Sequence, residues 1–339
     1  KDLKQRELSV AIITKNIGFL QYLKGFFAPT FDLELLEFKP TLKNRLKEFI
    51  DSQHHHKWTK ELFDALFLAS PISKEFRKSV SNLGISHLLA ISGYHLGFLY
   101  AMFLFLGIYV YKFFQKRYFP YRNRNFDLSI FTIAILLFYI YTIGLTPSIL
   151  RSFSMLIFGI FLYMRWYKII SFEVLSVSVL FLLSIKPELF FSVSFWFSVS
   201  GIFFIYLFLH HFKNLKNYQT LLGINFWVYL MMIPIVHYIF PTFTPLQLVS
   251  PFLSLIFVVF YPVELFLHLF GSGGLLDEWL VKVFELNSNH VDIHTPIWFL
   301  AFYIAMMFGA VFSKRALYLL AMSAVAFLLR ALFFFQDIA

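Results

Sequence analysis

From residue 83 onward the chain is almost unbroken apolar text, divided into runs of bilayer length. A spanning helix needs about 20 such residues, because a rise of about 1.5 Å per residue must cross about 30 Å of hydrocarbon. Suitable runs lie at 91–111, 127–145, 147–164, 168–185, 189–210, 221–240, 246–270, 296–312 and 316–335. Lipid offers backbone groups no partner, so segments of this length must be helices. The predicted fold class is a predominantly α, polytopic helical membrane protein. Composition agrees: charged residues are 14% of the chain and the mean hydropathy is +0.71, whereas a soluble domain is about one quarter charged. The 48 Phe read as lipid-facing side chains favoured by an AT-rich coding bias. There are no cysteines, which excludes a disulfide framework and thiol chemistry.

Charge sets the expected orientation. The formal net charge of +10 would suggest nucleic acid in a soluble protein, but here much of it belongs to loops, since cytoplasmic loops collect Lys and Arg. Residues 112–126 carry Lys112, Lys116, Arg117, Arg122 and Arg124 without an acid, whereas 271–295 set Asp277, Glu278, Glu285 and Asp292 against Lys282. The first stretch is therefore predicted inside, and residues 1–82 and 271–295 outside. If every run spanned, 271–295 would fall inside. The conflict disappears if 246–270, which contains Pro251 and Pro262, dips in and returns as a re-entrant segment beside eight full spans.

Ahead of the apolar text, 8–13, 18–23 and 31–38 read as three short strands separated by turn signals. Residues 41–82 read as amphipathic surface helices. Thr41 is placed to cap the first, whose apolar face is Leu42, Leu46, Phe49 and Ile50; Trp58, Leu62, Ala65, Leu66 and Ala69 repeat the pattern. His54, His55 and His56 read as a solvated loop. With no initiator Met and no signal peptide, the sequence reads as a fragment of a longer protein.

Polar residues inside apolar text are the site candidates, because lipid makes them costly. The run HLLAISGYH places His87, Ser92, Gly93 and His95 at the mouth of the first span. Ser92 and His95 are three apart and share a helical face, and Gly93 permits a bend or a close helix approach. This cluster is a candidate lining for a substrate path, or a polar packing knot. Arg151, one turn into a span after Thr146-Pro147-Ser148, could fork onto a phosphate or snorkel to the surface. Trp196, between Phe195 and Phe197, could stack bases or pack helices. His237 and Glu264 are intramembrane ionisable groups suited to a path or to proton coupling. No nucleophile, acid and oxyanion set is evident, so an enzyme is not expected. The histidines group too weakly for metal, and no phosphate-binding glycine loop is present, so no cofactor is expected.

HLLAISG followed by one residue and His resembles the signature that opens the membrane domain of the bacterial competence protein ComEC family. ALFLASPISKEFRKSVSNLGIS before it, PSILRSFSML at 147–156, SIKPELFFSVSFWFSVSG at 184–201 and IPIVHYIFPTFTPLQLVSPF at 233–252 resemble that family in order. At Tyr94 usual members have an aliphatic residue. The resemblance implies an inner-membrane channel that carries single-stranded DNA into the cytoplasm during natural transformation. It further implies an OB-like end at 1–40 outside the membrane, surface helices at 41–82 and the channel domain at 83–339. Expected partners are single-stranded DNA, membrane lipid, an external DNA receptor, a cytoplasmic motor or single-strand-binding protein, and a second copy of the chain. The family often carries a metallo-β-lactamase-like domain, but no HxHxDH-type motif occurs here, so nuclease activity is not expected of these residues. The competing reading is a secondary transporter or a flippase of a small or lipid-linked substrate, which broken helices with His237 and Glu264 would suit; no inverted repeat supports it.

Overall fold

The structure, a computed structural model, describes residues 8–12, 18–24, 30–35, 41–144, 147–164, 171–286 and 288–336. Strands β1 (Leu8–Ile12) and β2 (Thr30–Leu35) pair antiparallel, with Leu8 opposite Leu35. Between them Phe19–Lys24 forms helix α1, where a strand was expected. FLQYLK has no β-branched residue, and Phe19, Leu20 and Leu23 recur at helical spacing, so local preference favours the helix.

Three helices follow: α2 (Leu42–Asp51), α3 (Lys57–Leu68) and α4 (Lys74–Asn82). Thr41 caps α2 by accepting from the Asn44 amide at 3.3 Å, and Ser73 caps α4 from Phe76, each satisfying an amide that has no intrahelical partner. The apolar face of α2 leaves Leu42, Leu46 and Phe49 exposed and buries only Ile50. Lys43 Nζ donates to the Ile143 carbonyl at 2.7 Å, which ties this layer to the end of a long helix.

The short helix α5 (Ser86–Leu89) leads into α6 (Gly93–Tyr118), α7 (Arg124–Ile143), α8 (Pro147–Met164), α9 (Phe172–Ile185), α10 (Val193–His211) and α11 (Asn217–Ile239). Then come β3 (Thr242–Phe243), α12 (Ser250–Leu269), α13 (Asp277–Phe284), β4 (Val291–Asp292), α14 (Ile297–Phe312) and α15 (Lys314–Gln336). Among the described residues, six helices are long and apolar enough to cross a membrane: α6, α7, α10, α11, the Pro245–Leu269 stretch and α15. Ser152–Leu162, α9 and α14 are shorter and also apolar. No more than 33% of any long window is buried, and large side chains such as Phe105, Phe113, Tyr141 and Phe333 face outward. Apolar surface on this scale needs lipid to cover it, and the chain is a membrane protein. Helix α6 continues through Lys112, Lys116 and Arg117, so the expected cationic loop shrinks to 119–123, where Arg122 forks onto Asp127 at 2.6 and 2.8 Å.

Two large packing groups hold the helices. One joins α3 to α7 with α12 and α13 around Phe63, Phe76, Leu96, Leu136, Ile140 and Tyr261. The other joins α9, α10, α11, α14 and α15 around Phe204, Leu207, Met231, Tyr303 and Leu320. Tyr303 and Thr295 donate to the carbonyls of Met231 and Pro234, so side-chain hydroxyls serve the backbone around Pro234.

Where α11 ends, α14 begins. The Ile293 amide bonds Pro241 O at 2.8 Å, the Thr295 amide bonds His237 O at 3.3 Å, and β3 pairs antiparallel with β4. Residues 240–296 therefore leave and rejoin the helices at one level. The expected re-entrant break within 246–270 is absent: α12 runs unbroken through Pro262, and 271–291, which contains α13, makes the return.

Candidate functional site

Helix α12 collects the polar residues of the signature one turn at a time. At its start Ser250 Oγ donates to Gly84 O at 2.9 Å and Thr244 Oγ1 to Asn82 O at 2.5 Å. Gly84 has φ of +69°, and a Cβ there would meet Gln247 and Ser250 at 3.2 to 3.3 Å. The tight seat explains the glycine. One turn on, His87 lies on the exposed surface with Nε2 3.3 Å from Ser254 Oγ.

Pro262 cannot donate to the carbonyl four residues back. That carbonyl is Val258 O, and the Tyr94 hydroxyl donates to it at 2.8 Å. The aromatic residue inside the signature thus serves the acceptor orphaned by the proline.

Ser92 is the N-cap of α6. Its amide donates to His95 Nδ1 at 3.0 Å, and its Oγ lies 2.9 Å from the same nitrogen. A backbone N–H only donates, so Nδ1 accepts and the ring hydrogen sits on Nε2. Nε2 is buried without a hydrogen-bond partner. The ring stands edge-on to Tyr261, with centroids 4.6 Å apart and planes at 87°, and against Phe257 at 5.4 Å. His95 is therefore packed inside the protein. The close helix approach expected at Gly93 is absent: a Cβ there would meet nothing within 4 Å, because Gly93 lies on the exposed side of the helix.

Farther along α12, Glu264 is wholly buried, and neither carboxylate oxygen has a hydrogen-bond partner. His268 lies beside it, with Nδ1 at 3.4 Å from Oε2. His268 Nδ1 also lies 2.7 Å from the Glu264 carbonyl, and its Nε2 is 2.9 Å from His54 Nε2. His54 Nδ1 in turn meets Asp277 Oδ1 at 2.7 Å. The other oxygen of Asp277 accepts from the His55 amide and from Thr59 Oγ1, each at 3.2 Å. Phe63 stacks on His54 with centroids 4.6 Å apart. Burial pushes the His54 imidazole below the usual histidine range, against the opposing pull of Asp277. A Cβ on Gly273 would lie 2.6 Å from His268 Nε2, so glycine is required where the return segment crosses the ring.

Sequence reading missed this row. His54 is no solvated loop residue. The Glu264 and His268 spacing of four was visible on a helix; the pairing of His54 with Asp277 across 223 residues was not.

The remaining candidates lie elsewhere. Trp196, on α10, is 39% exposed and donates its indole N–H to Phe190 O at 2.7 Å. His237, on α11, is buried between Phe243 and Phe327, with Nδ1 donating to Ile233 O at 2.9 Å and Nε2 unpartnered. The side chain of Arg151 lies outside the described residues. A cleft of about 330 Å³ is lined by Lys47, Lys57 and Lys60 but also by Asp51, Glu61 and Asp64; its balanced charge does not favour an anion. Among the described residues no group of His, Asp or Glu is arranged to hold a metal ion.

Compared with known families, residues 69–334 match the model described as competence protein. No curated protein and no solved structure is significantly similar to the chain. The matched span includes all of α4 to α14 and most of α15, and takes in every site residue described above except those before residue 69, His54 among them.

Proposed function

Since the chain belongs to the competence protein family, whose name ties it to DNA uptake, we propose that it is an inner-membrane channel passing single-stranded DNA into the cytoplasm. The observation that carries this reading is the overlap of the family match with the membrane-length helices. The cationic end of α6 and the 119–123 loop face the cytoplasm, as do Lys213, Lys216, Lys314 and Arg315. Residues 41–82 and 240–296 form the outer layer. DNA arriving there meets α12, along which lie the Ser254 hydroxyl and, from α6, the half-exposed Tyr94. Phosphates in transit need donors and cations, and bases need aromatic faces; exposed Trp196 is a candidate for the second. With His95 closed under Tyr261, opening the path requires α12 to move away from α6. The protein acts without chemistry of its own, and a motor or strand-binding partner inside supplies the drive.

The test follows labelled DNA in cells that lack the gene. DNA should arrest outside the inner membrane, and re-expression should restore its passage. Undiminished arrival of label in the cytoplasm would reject the channel and favour the transporter or flippase reading.

A further inference from the structure

Three contacts join Asp277, His54, His268 and the Glu264 carbonyl in one row, at 2.7, 2.9 and 2.7 Å. Each needs one hydrogen between its two heavy atoms, and the last acceptor, a backbone carbonyl, can only receive. His268 Nδ1 must therefore carry a hydrogen. The contact between the two Nε2 atoms needs another, and the contact between His54 and Asp277 a third. An ionised Asp277 with two neutral imidazoles brings only two hydrogens. One contact would then set lone pair against lone pair at under 3 Å, in a site where His54, His268 and Asp277 are all buried.

We propose that Asp277, His54 and His268 together form a single-proton site that latches the outer helices onto α12. The extra proton has three arrangements that satisfy every contact: Asp277 protonated with both rings neutral, His268 as imidazolium, or His54 as imidazolium. Burial of His54 disfavours the last. The proton shifts along the row by hydrogen transfer within existing bonds, so no heavy atom moves. Among the described residues Glu264, with Oε2 at 3.4 Å from His268 Nδ1, is the one further titratable group facing the row. From α3 come only the Thr59 hydroxyl and the rings of Phe63 and Phe67. Gln53 braces the same joint, accepting from the Gly273 amide at 2.8 Å and donating to His268 O at 3.2 Å.

The sign is fixed by the count. Above the ordinary histidine pKa of about 6.5 the separated parts hold two neutral rings and an ionised Asp277, one proton fewer than the latched row, so the latch is lost as pH rises. Well below that pKa both separated rings protonate and hold one proton more than the row, so the latch is strongest near it. The proposal does not depend on what the channel carries.

The absence of cysteines allows spin labels on Ser52→Cys and Phe270→Cys, both exposed positions on either side of the joint. In the full chain in lipid discs, the distance between labels is read from about pH 6.5 to about pH 9. A short distance should give way to a longer one as pH rises, the ratio changing about tenfold per pH unit once past the midpoint. Asp277→Asn is the decisive variant. Its amide NH2 supplies the missing hydrogen to His54 Nδ1, while its oxygen still accepts from His55 and Thr59, so the short distance should persist across this range. His54→Phe, which keeps the stack on Phe63 but has no ring nitrogen, should also remove the pH response. No transition in the unsubstituted protein, or a transition that survives in either variant, overturns the latch.

Discussion

At the scale of single residues, the informative pair is Tyr94 and Pro262. A proline inside a helix leaves an acceptor without its donor, and in lipid that acceptor cannot turn to water. Tyr94 serves it from the neighbouring helix. Tyr94→Phe should lower stability by about 1 kcal/mol, the usual worth of a hydrogen bond between membrane helices. Pro262→Ala restores the backbone donor, so in that background the loss of the Tyr94 hydroxyl should cost little. Thermal unfolding of the four proteins in detergent measures the coupling; equal losses in both backgrounds would separate the two residues. The sequence flagged Tyr94 as a departure and Pro262 as a break, but only contact in space connects residues 168 positions apart.

At the scale of elements, the apolar runs translated directly into helices, because burial and backbone satisfaction in lipid leave a segment of that length no other form. What the runs could not tell is how α12 sits. Its text is as apolar as that of a spanning helix, yet the chain returns beside its own start. That return is specified by the pairing of β3 with β4 and by the Thr295 and Ile293 amides, all contacts between distant residues. Helix α1 erred for the opposite reason: a short apolar run fits a strand or a helix, and its lack of β-branched residues decides it. Two glycines show how placement separates similar residues. Gly93→Ala adds a methyl group to open space and should leave folding intact or slightly improved, since alanine favours helix by about 1 kcal/mol. Gly273→Ala would press its methyl group into the His268 ring and should reduce the yield of monodisperse protein severalfold. Size-exclusion profiles of the two variants, run together, test this contrast, and a normal Gly273→Ala profile would show that the return segment is loosely seated.

At the scale of the molecule, the proposed orientation rests on charge and on the shared level of residues 240 and 296. Placing the cationic 119–123 loop inside puts α6 across the membrane from an outer layer formed by α2, α3, α4 and α13. The acidic 277–292 stretch then lies outside, as the bias against cations in external loops requires. The alternative, in which α12 crosses fully, would send Asp277, Glu278, Lys282 and Glu285 back through lipid with no apolar segment to carry them, at a cost of several kcal/mol. It would also separate α13 from α4, although Ser79 Oγ donates to the Phe284 carbonyl and Phe76 packs edge-on against Phe284 at 5.0 Å. A chain without native cysteines allows a direct test. Asn123→Cys and Ser288→Cys are each exposed to an impermeant thiol reagent in intact spheroplasts and again after lysis. Ser288→Cys should react before lysis and Asn123→Cys only after it. The reverse order would invert the molecule, and reaction of both before lysis would mean that α6 does not cross.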